Sequence, residues 1–178
     1  IGVLIDPLSV LMAVLVSVIG LFVALFSHGY IGEDPGLTRF WFFMNLFIGN
    51  MLFLVLSDNF IQMLVGWEGV GLCSYALIGF WYRDSKKDWL KNWVGEPPEA
   101  YPPSHCGLKA FLVTRFGDLF MIAGELIILS LTGTLDFQCL GYSIETMPPD
   151  LKWLLIVGLL LLLGGPIGKS AQLPLMEW

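Results

Sequence analysis

Between Leu8 and Ser27 the chain runs almost unbroken through Leu, Val, Ile, Met, Ala and Phe, with no charged side chain. A run of that length cannot be wetted on one face as an amphipathic helix is, and it reaches the ~18 residues that mark a membrane-crossing helix. Comparable runs recur further along. Hydrophobic residues make up 56% of the 178 and charged residues 13%, where a soluble domain carries about 25% charged. Mean hydropathy is +0.76. No stretch alternates over the ~10 residues of a barrel strand, so the spans are predicted to be helices. The expected fold is all-α and polytopic, a single transmembrane helical domain over residues 1–178 with about five spans, one of them broken.

The spans are read as 8–27, 38–57, 60–81, 108–131 and 151–176. Asp6-Pro7 supplies an N-cap and first-turn signal for the first. A polar loop is expected at His28–Gly36. Only Ser57-Asp58-Asn59 separates the second and third spans, which therefore form an antiparallel hairpin. The loop Tyr82–Gly107 contains Glu96-Pro97-Pro98-Glu99-Ala100-Tyr101-Pro102-Pro103, a composition that favours extended backbone. A second loop is expected over Thr132–Asp150. The fifth apolar run breaks at Gly164-Gly165-Pro166-Ile167-Gly168-Lys169-Ser170-Ala171-Gln172-Leu173-Pro174.

Basic residues sit on one side. Arg83, Lys86, Lys87 and Lys91 lie in the Tyr82–Gly107 loop, while the Thr132–Asp150 loop carries Asp136, Glu145 and Asp150. The positive-inside rule then puts the Tyr82–Gly107 loop on the cytoplasmic, matrix or stromal side. The net charge of −6 and pI near 4.7 give no footprint for nucleic acid. The adjacent His105-Cys106 reads as an ordinary loop pair, since two neighbouring ligands lack metal-site spacing. No metal site and no haem or iron–sulfur ligand pattern is expected in this chain.

The residues that carry chemistry are those that charge the spans. Each ionisable group at mid-bilayer costs about 2.5–3.5 kcal/mol on insertion scales, so those retained face a polar cavity or a partner and mark ion pathways. Glu68, in Gly66-Trp67-Glu68-Gly69-Val70-Gly71, falls roughly 13 Å into the third run. Lys169 stands among helix-loosening glycines between Pro166 and Pro174, and backbone groups freed there must line a wet cavity or be buried in protein. A lysine in such a place can load and release a proton, and a carboxylate nearby can tune it. Arg115 and Asp118 share a helix face at i and i+3. Glu125 lies deeper in the same span with no evident partner, and Lys109 is close enough to the interface to snorkel. Together these charges point to proton or cation translocation.

Gly66-Trp67-Glu68-Gly69-Val70-Gly71-Leu72-Cys73-Ser74-Tyr75, Lys109-Ala110-Phe111-Leu112-Val113-Thr114-Arg115-Phe116-Gly117-Asp118 and Gly168-Lys169-Ser170-Ala171-Gln172-Leu173-Pro174-Leu175 resemble subunit 5, or bacterial subunit L, of respiratory complex I. Their order and spacing match over nearly the whole chain. Asp6-Pro7-Leu8-Ser9 resembles the start of that family's third helix. The resemblance implies an antiporter-like subunit, of which this chain holds most of the first of two inverted five-helix repeats. It also implies that Glu68 and Lys169 form the coupled pair of a half-channel, with Asp118 and Arg115 in the charged network beside it. NADH, FMN, iron–sulfur clusters and quinone would belong to partner subunits, and other complex I membrane subunits and the lipid bilayer would be its neighbours. The transported ion would be H⁺ or Na⁺. The setting would be the mitochondrial inner membrane, the thylakoid membrane or a prokaryotic cytoplasmic membrane. Two features depart from the family pattern. The segment Trp89–Cys106 is longer than expected, and Glu125 stands where an apolar residue is expected. The family's later helices are missing from these residues, so a complete transmembrane path is expected to need more chain. The same Glu and Lys motifs occur in multisubunit cation/proton antiporters and membrane-bound hydrogenases. A non-catalytic membrane scaffold is the remaining alternative.

Overall fold

The computed structural model describes residues 2–82 and 102–178. It is helical: α1 spans Pro7–Ile31, α2 Leu37–Val55, α3 Phe60–Ile78, α4 Pro103–Thr132, α5 Phe137–Glu145, α6 Lys152–Leu162 and α7 Gly164–Lys169. A short 3₁₀ turn, Pro149–Leu151, leads into α6. No strand forms among the described residues, only an isolated bridge between Asn59 and Asp136. Four segments are long and apolar enough to cross a bilayer: Pro7–Ile31, Leu37–Val55, Phe60–Ile78 and Pro149–Lys169. The remaining expected span, 108–131, corresponds to α4, which is set apart by Lys109, Arg115, Asp118 and Glu125 within it.

Several boundaries differ from expectation. The first helix continues through His28, Gly29 and Tyr30, because none of these removes a backbone donor. It stops at Gly32, whose φ of 43° lies in the left-handed region that glycine tolerates. The fourth helix starts at Pro103 rather than Leu108, with a proline at the first position, where its missing N–H costs nothing. His105 and Cys106 are therefore helical, not a loop pair. The expected loop Thr132–Asp150 contains α5, nucleated by Asp136, whose carboxylate accepts from the N–H groups of Gln138 and Cys139. The last span ends at Lys169, short of 176. Most of the Tyr82–Gly107 loop, including its basic residues and prolines 97 and 98, falls outside the described residues.

The described chain forms two compact units. One comprises the N-terminal residues up to Val3, Ser57–Leu64 and Leu112–Trp178. Its apolar core gathers Ile128, Leu135, Leu140, Met147 and Leu155, with Phe60, Phe137 and Leu162 packed against them. Main-chain bonds tie its segments together: Phe60 N–H donates to Leu135 O at 3.0 Å and Phe137 N–H to Asp58 O at 3.1 Å. The Gln62 carboxamide holds Gly2 from both sides, accepting from its N–H at 3.2 Å and donating to its carbonyl at 2.9 Å. Glycines let α4 lie close to α6 and α7. A Cβ on Gly124 would sit 2.5 Å from Gly158 O, and one on Gly117 would sit 2.6 Å from Gly164 O. Small residues serve this purpose in lipid, where helix association depends on close packing and not on water exclusion.

The other unit comprises Leu4–Leu56 and Val65–Phe111. A reciprocal capping box starts α1: Ser9 N–H donates to Asp6 Oδ1 at 2.6 Å and Asp6 N–H to Ser9 Oγ at 2.9 Å. Gly20 of α1 meets Ile48 of α2. Gly66 and Gly69 of α3 press against Asn50 and Leu54 of α2. The Arg39 guanidinium donates to Phe80 O and lies 4.9 Å from the Phe80 ring centroid and 4.2 Å from that of Tyr82. That arrangement sets the cation against a carbonyl and two π-faces.

Candidate functional site

The buried side of α4 is a stripe at helical spacing: Thr114, Asp118, Met121, Glu125 and Ile128. Steps of three and four residues keep these side chains on one face. In a helix chosen only for packing, that stripe would be apolar. Here it holds two carboxylates, Asp118 at 1% exposure and Glu125 at 4%.

Arg115, three residues before Asp118, places Nη1 3.4 Å from Asp118 Oδ2, and the Asp118 side chain is the more buried partner. The pair read from the sequence is thus formed. Lys169 joins it from the end of α7: the charges acting on it are Asp118, attractively, and Arg115, repulsively. One carboxylate therefore serves two cations. When all three are ionised these side chains sum to a net +1, and removing one proton from Lys169 leaves Asp118 beside Arg115.

Local backbone explains why Lys169 stands where it does. The helix interrupts at Leu163, resumes as α7, and closes at Ser170. Gln172 N–H returns to Ile167 O at 3.1 Å and Ala171 N–H to Gly168 O at 3.4 Å. These two bonds make a Schellman closure. Its left-handed position is filled by Ala171, with φ of 50°, instead of glycine. A left-handed alanine costs about 1–2 kcal/mol. The Trp178 indole N–H donates to Gly168 O at 2.8 Å, further securing the turn. Lys169 is consequently the last helical residue, half-buried, at the carbonyl-rich end of the helix where a cation is favoured.

Glu68 belongs to the other unit, half-buried on α3 between the two glycines that contact α2. Asn50, against which Gly69 packs, also lies in hydrogen-bond reach of the fully buried Cys73 thiol. Of the four residues singled out from the sequence, Arg115, Asp118 and Lys169 come together in one unit, and Glu68 contributes to the second. Asn50, Gln62 and Arg39 escaped sequence reading, because a lone polar residue within or beside an apolar run does not disclose its partner. Among the described residues, no group of three or more His, Cys, Asp or Glu side chains is placed to hold a metal ion.

Comparison with known families fits this arrangement. Residues 1–41 match the family described as NADH-ubiquinone oxidoreductase (complex I), chain 5 N-terminus. Residues 57–89 and 99–178 match that described as NADH:quinone oxidoreductase/Mrp antiporter, transmembrane. NADH-quinone oxidoreductase subunit L of Pseudomonas aeruginosa is 43% identical over 174 residues, covering 97% of this chain and 26% of that protein. The chloroplastic NAD(P)H-quinone oxidoreductase subunit 5 of Zygnema circumcarinatum is 40% identical over 181 residues, covering 100% of this chain and 24% of that protein. Subunit L of Escherichia coli is 39% identical over 173 residues, covering 97% and 26%. The chain spans about a quarter of the length of these curated relatives. The transmembrane match takes in the charged cluster on its apolar, glycine-packed helices and the other match takes in α1, and together they lead to one conclusion: the chain belongs to the antiporter-like membrane-subunit family of the NADH:quinone oxidoreductases and Mrp antiporters.

Proposed function

We propose that this chain is part of an antiporter-like subunit of a respiratory NADH:quinone oxidoreductase. In this reading, Glu68 and Lys169 move protons across the membrane, and Arg115 and Asp118 bias the charge state of Lys169. The observation that carries it is the grouping of Lys169 with Arg115 and Asp118 at the end of an interrupted helix. Buried charges on that scale are expensive in lipid and are retained where ions move. A proton leaving the Lys169 ammonium lets Asp118 rest on Arg115. A proton returning draws Asp118 into sharing two cations. Any displacement of Asp118 toward one cation therefore changes how readily Lys169 gives up its proton, and this is the handle by which a neighbouring subunit can drive transport. Glu68 is the second carboxylate of this reading, a role that rests on the family resemblance.

The redox chemistry, with its NADH, FMN, iron–sulfur clusters and quinone, would reside in partner subunits, and this chain would supply only the ion path. The α4 helix would complete the set of five spans. The Tyr82–Gly107 loop would face the matrix, stroma or cytoplasm, as its basic residues favour. The ion assigned is H⁺, since a lysine amine carries protons and cannot coordinate Na⁺ while charged.

The test is Lys169→Ala in the full assembled complex, reconstituted into vesicles. NADH-driven proton uptake should be abolished while assembly on a native gel is retained, and Glu68→Gln should lower uptake strongly. Normal uptake by assembled Lys169→Ala complex would sink the reading. A second reading, a subunit of a multisubunit cation/proton antiporter, is favoured by the wording of the transmembrane family match. Purification separates the two: flavin and iron–sulfur proteins accompany the oxidoreductase subunit, and only membrane subunits accompany the antiporter.

A further inference from the structure

One ionisable group on the buried stripe of α4 has no part in that mechanism. Glu125 is 4% exposed, and its Oε1 has no hydrogen-bond partner among the described residues. It follows Asp118 by seven residues, two turns along the same face, so the two carboxylates are about 10 Å apart along the axis. Met121, at 2% exposure, fills the stripe between them.

Among the described residues, no charged group acts on the Glu125 carboxylate. One element that meets α4 near this level is α6, which presents Gly158 and Leu162 to the adjacent Gly124, and the core around Ile128 adds Leu140 of α5 and Phe60 of α3. Ile127 covers Gly158 from the α4 side. The only ionisable residue of α6 is Lys152, exposed at its far end, and α5 carries Glu145, with Asp136 as its cap. Arg115, Asp118 and Lys169 lie two turns away on the other side. An ionised carboxylate with an unbonded oxygen in such a place is costly, whereas a protonated one is tolerated.

We propose that Glu125 is a proton-holding site, a second station on the α4 stripe beyond the Arg115–Asp118–Lys169 group. This inference rests on the proton-transport reading given above. The resting Glu125 acid first releases its proton to the far side, and a proton from the Lys169 ammonium then passes through water to the Glu125 carboxylate, leaving a neutral amine and restoring the neutral acid. The reverse step, or release to the far side, restores the carboxylate. The gap exceeds one hydrogen bond, so transfer needs a transient water chain past Met121, whose unbranched thioether adapts its shape more readily than a branched side chain would. A side chain that merely filled space or donated a hydrogen bond could equally be glutamine, and that difference defines the test.

Two measurements on the full assembled complex decide it. A hydrophobic carbodiimide reacts with protonated carboxyl groups in apolar surroundings, so peptide mass spectrometry should find the adduct on Glu125, and modified complex should pump less. In vesicles, Glu125→Gln should lower NADH-driven proton uptake several-fold, and Glu125→Asp, which keeps the acid, should recover much of it. Uptake by Glu125→Gln equal to wild type, alongside inactive Lys169→Ala, overturns this inference and leaves the transport reading standing. Normal uptake in Lys169→Ala overturns the transport reading itself. If Glu125→Gln does not assemble, the native complex still answers: an unmodified Glu125 overturns the inference, and modification that slows pumping sustains it.

Discussion

The first helix and the later group formed by α4 with α6 and α7 use apolar and polar residues in opposite ways. In α1 the large apolar side chains face outward: Leu15, Ile19, Phe22 and Phe26 are all exposed, and the buried residues are Ser9, Ser27 and Ile31. In α4 the outward residues are also apolar, Leu112, Phe116, Leu119 and Leu126, but the buried stripe carries Thr114, Asp118 and Glu125. Exposed Leu and Phe are what a lipid solvent calls for. The lesson is that hydrophobicity here marks the outer surface, and it is the polar interior that separates a helix with a task from one that only spans.

The largest effect is expected when the two kinds of position are exchanged. Ile19→Asp should cost about 2.5–3.5 kcal/mol of insertion free energy, read as the inserted fraction in a translocon assay, while Glu125→Leu should insert at least as well as wild type. Equal insertion of Ile19→Asp and wild type would mean that α1 has a polar neighbour, and the contrast would collapse. The next effect concerns packing. Gly124→Val should destabilise by about 1–3 kcal/mol, the usual cost of overpacking, because its Cβ would meet Gly158 O at 2.5 Å. Gly29 of α1, with nothing within 4 Å of a Cβ, should accept alanine with a gain of up to ~1 kcal/mol from helix propensity. Thermal unfolding in detergent measures both.

Ala171→Gly should stabilise the purified protein by about 1 kcal/mol, by relieving the left-handed alanine after Lys169; a loss of stability would show that Ala171 is held by contacts rather than strained. The smallest effect lies at Asp6. Bonds from Ser9 hold its carboxyl below the ordinary carboxylate value. Its contribution is therefore fully present above that ordinary value and fades as pH falls through the lowered one. Asp6→Asn should remove that slight acid sensitivity, and an unchanged acid titration of stability would argue that the cap contributes nothing measurable.

The residues that were legible were those whose partner lies within one helix turn or whose signal is a long run. The unbroken apolar stretch with Asp6-Pro7 located α1, and the i, i+3 spacing of Arg115 and Asp118 located their pair. Lys169 was marked by the glycines and prolines around it, although its grouping with Asp118 depends on how Gly117 meets Gly164 and Gly168, which no local pattern encodes. The end of α7 was misplaced because Ala171 is a strong helix former, and nothing in its identity reveals a left-handed backbone. The helix α5 was missed because nine residues starting after an aspartate, with Gly141 in the middle, read equally well as loop. Glu68 owed its prominence to a family resemblance as much as to its depth.

The Gln62 clamp on Gly2 has a consequence for biogenesis. The two residues are sixty positions apart, and α1 and α2 separate them. During synthesis the amide of Gln62 reaches the translocon only after both earlier helices have left the ribosome. Until then Gly2 lacks this clamp, so its formation reports that α3 has arrived.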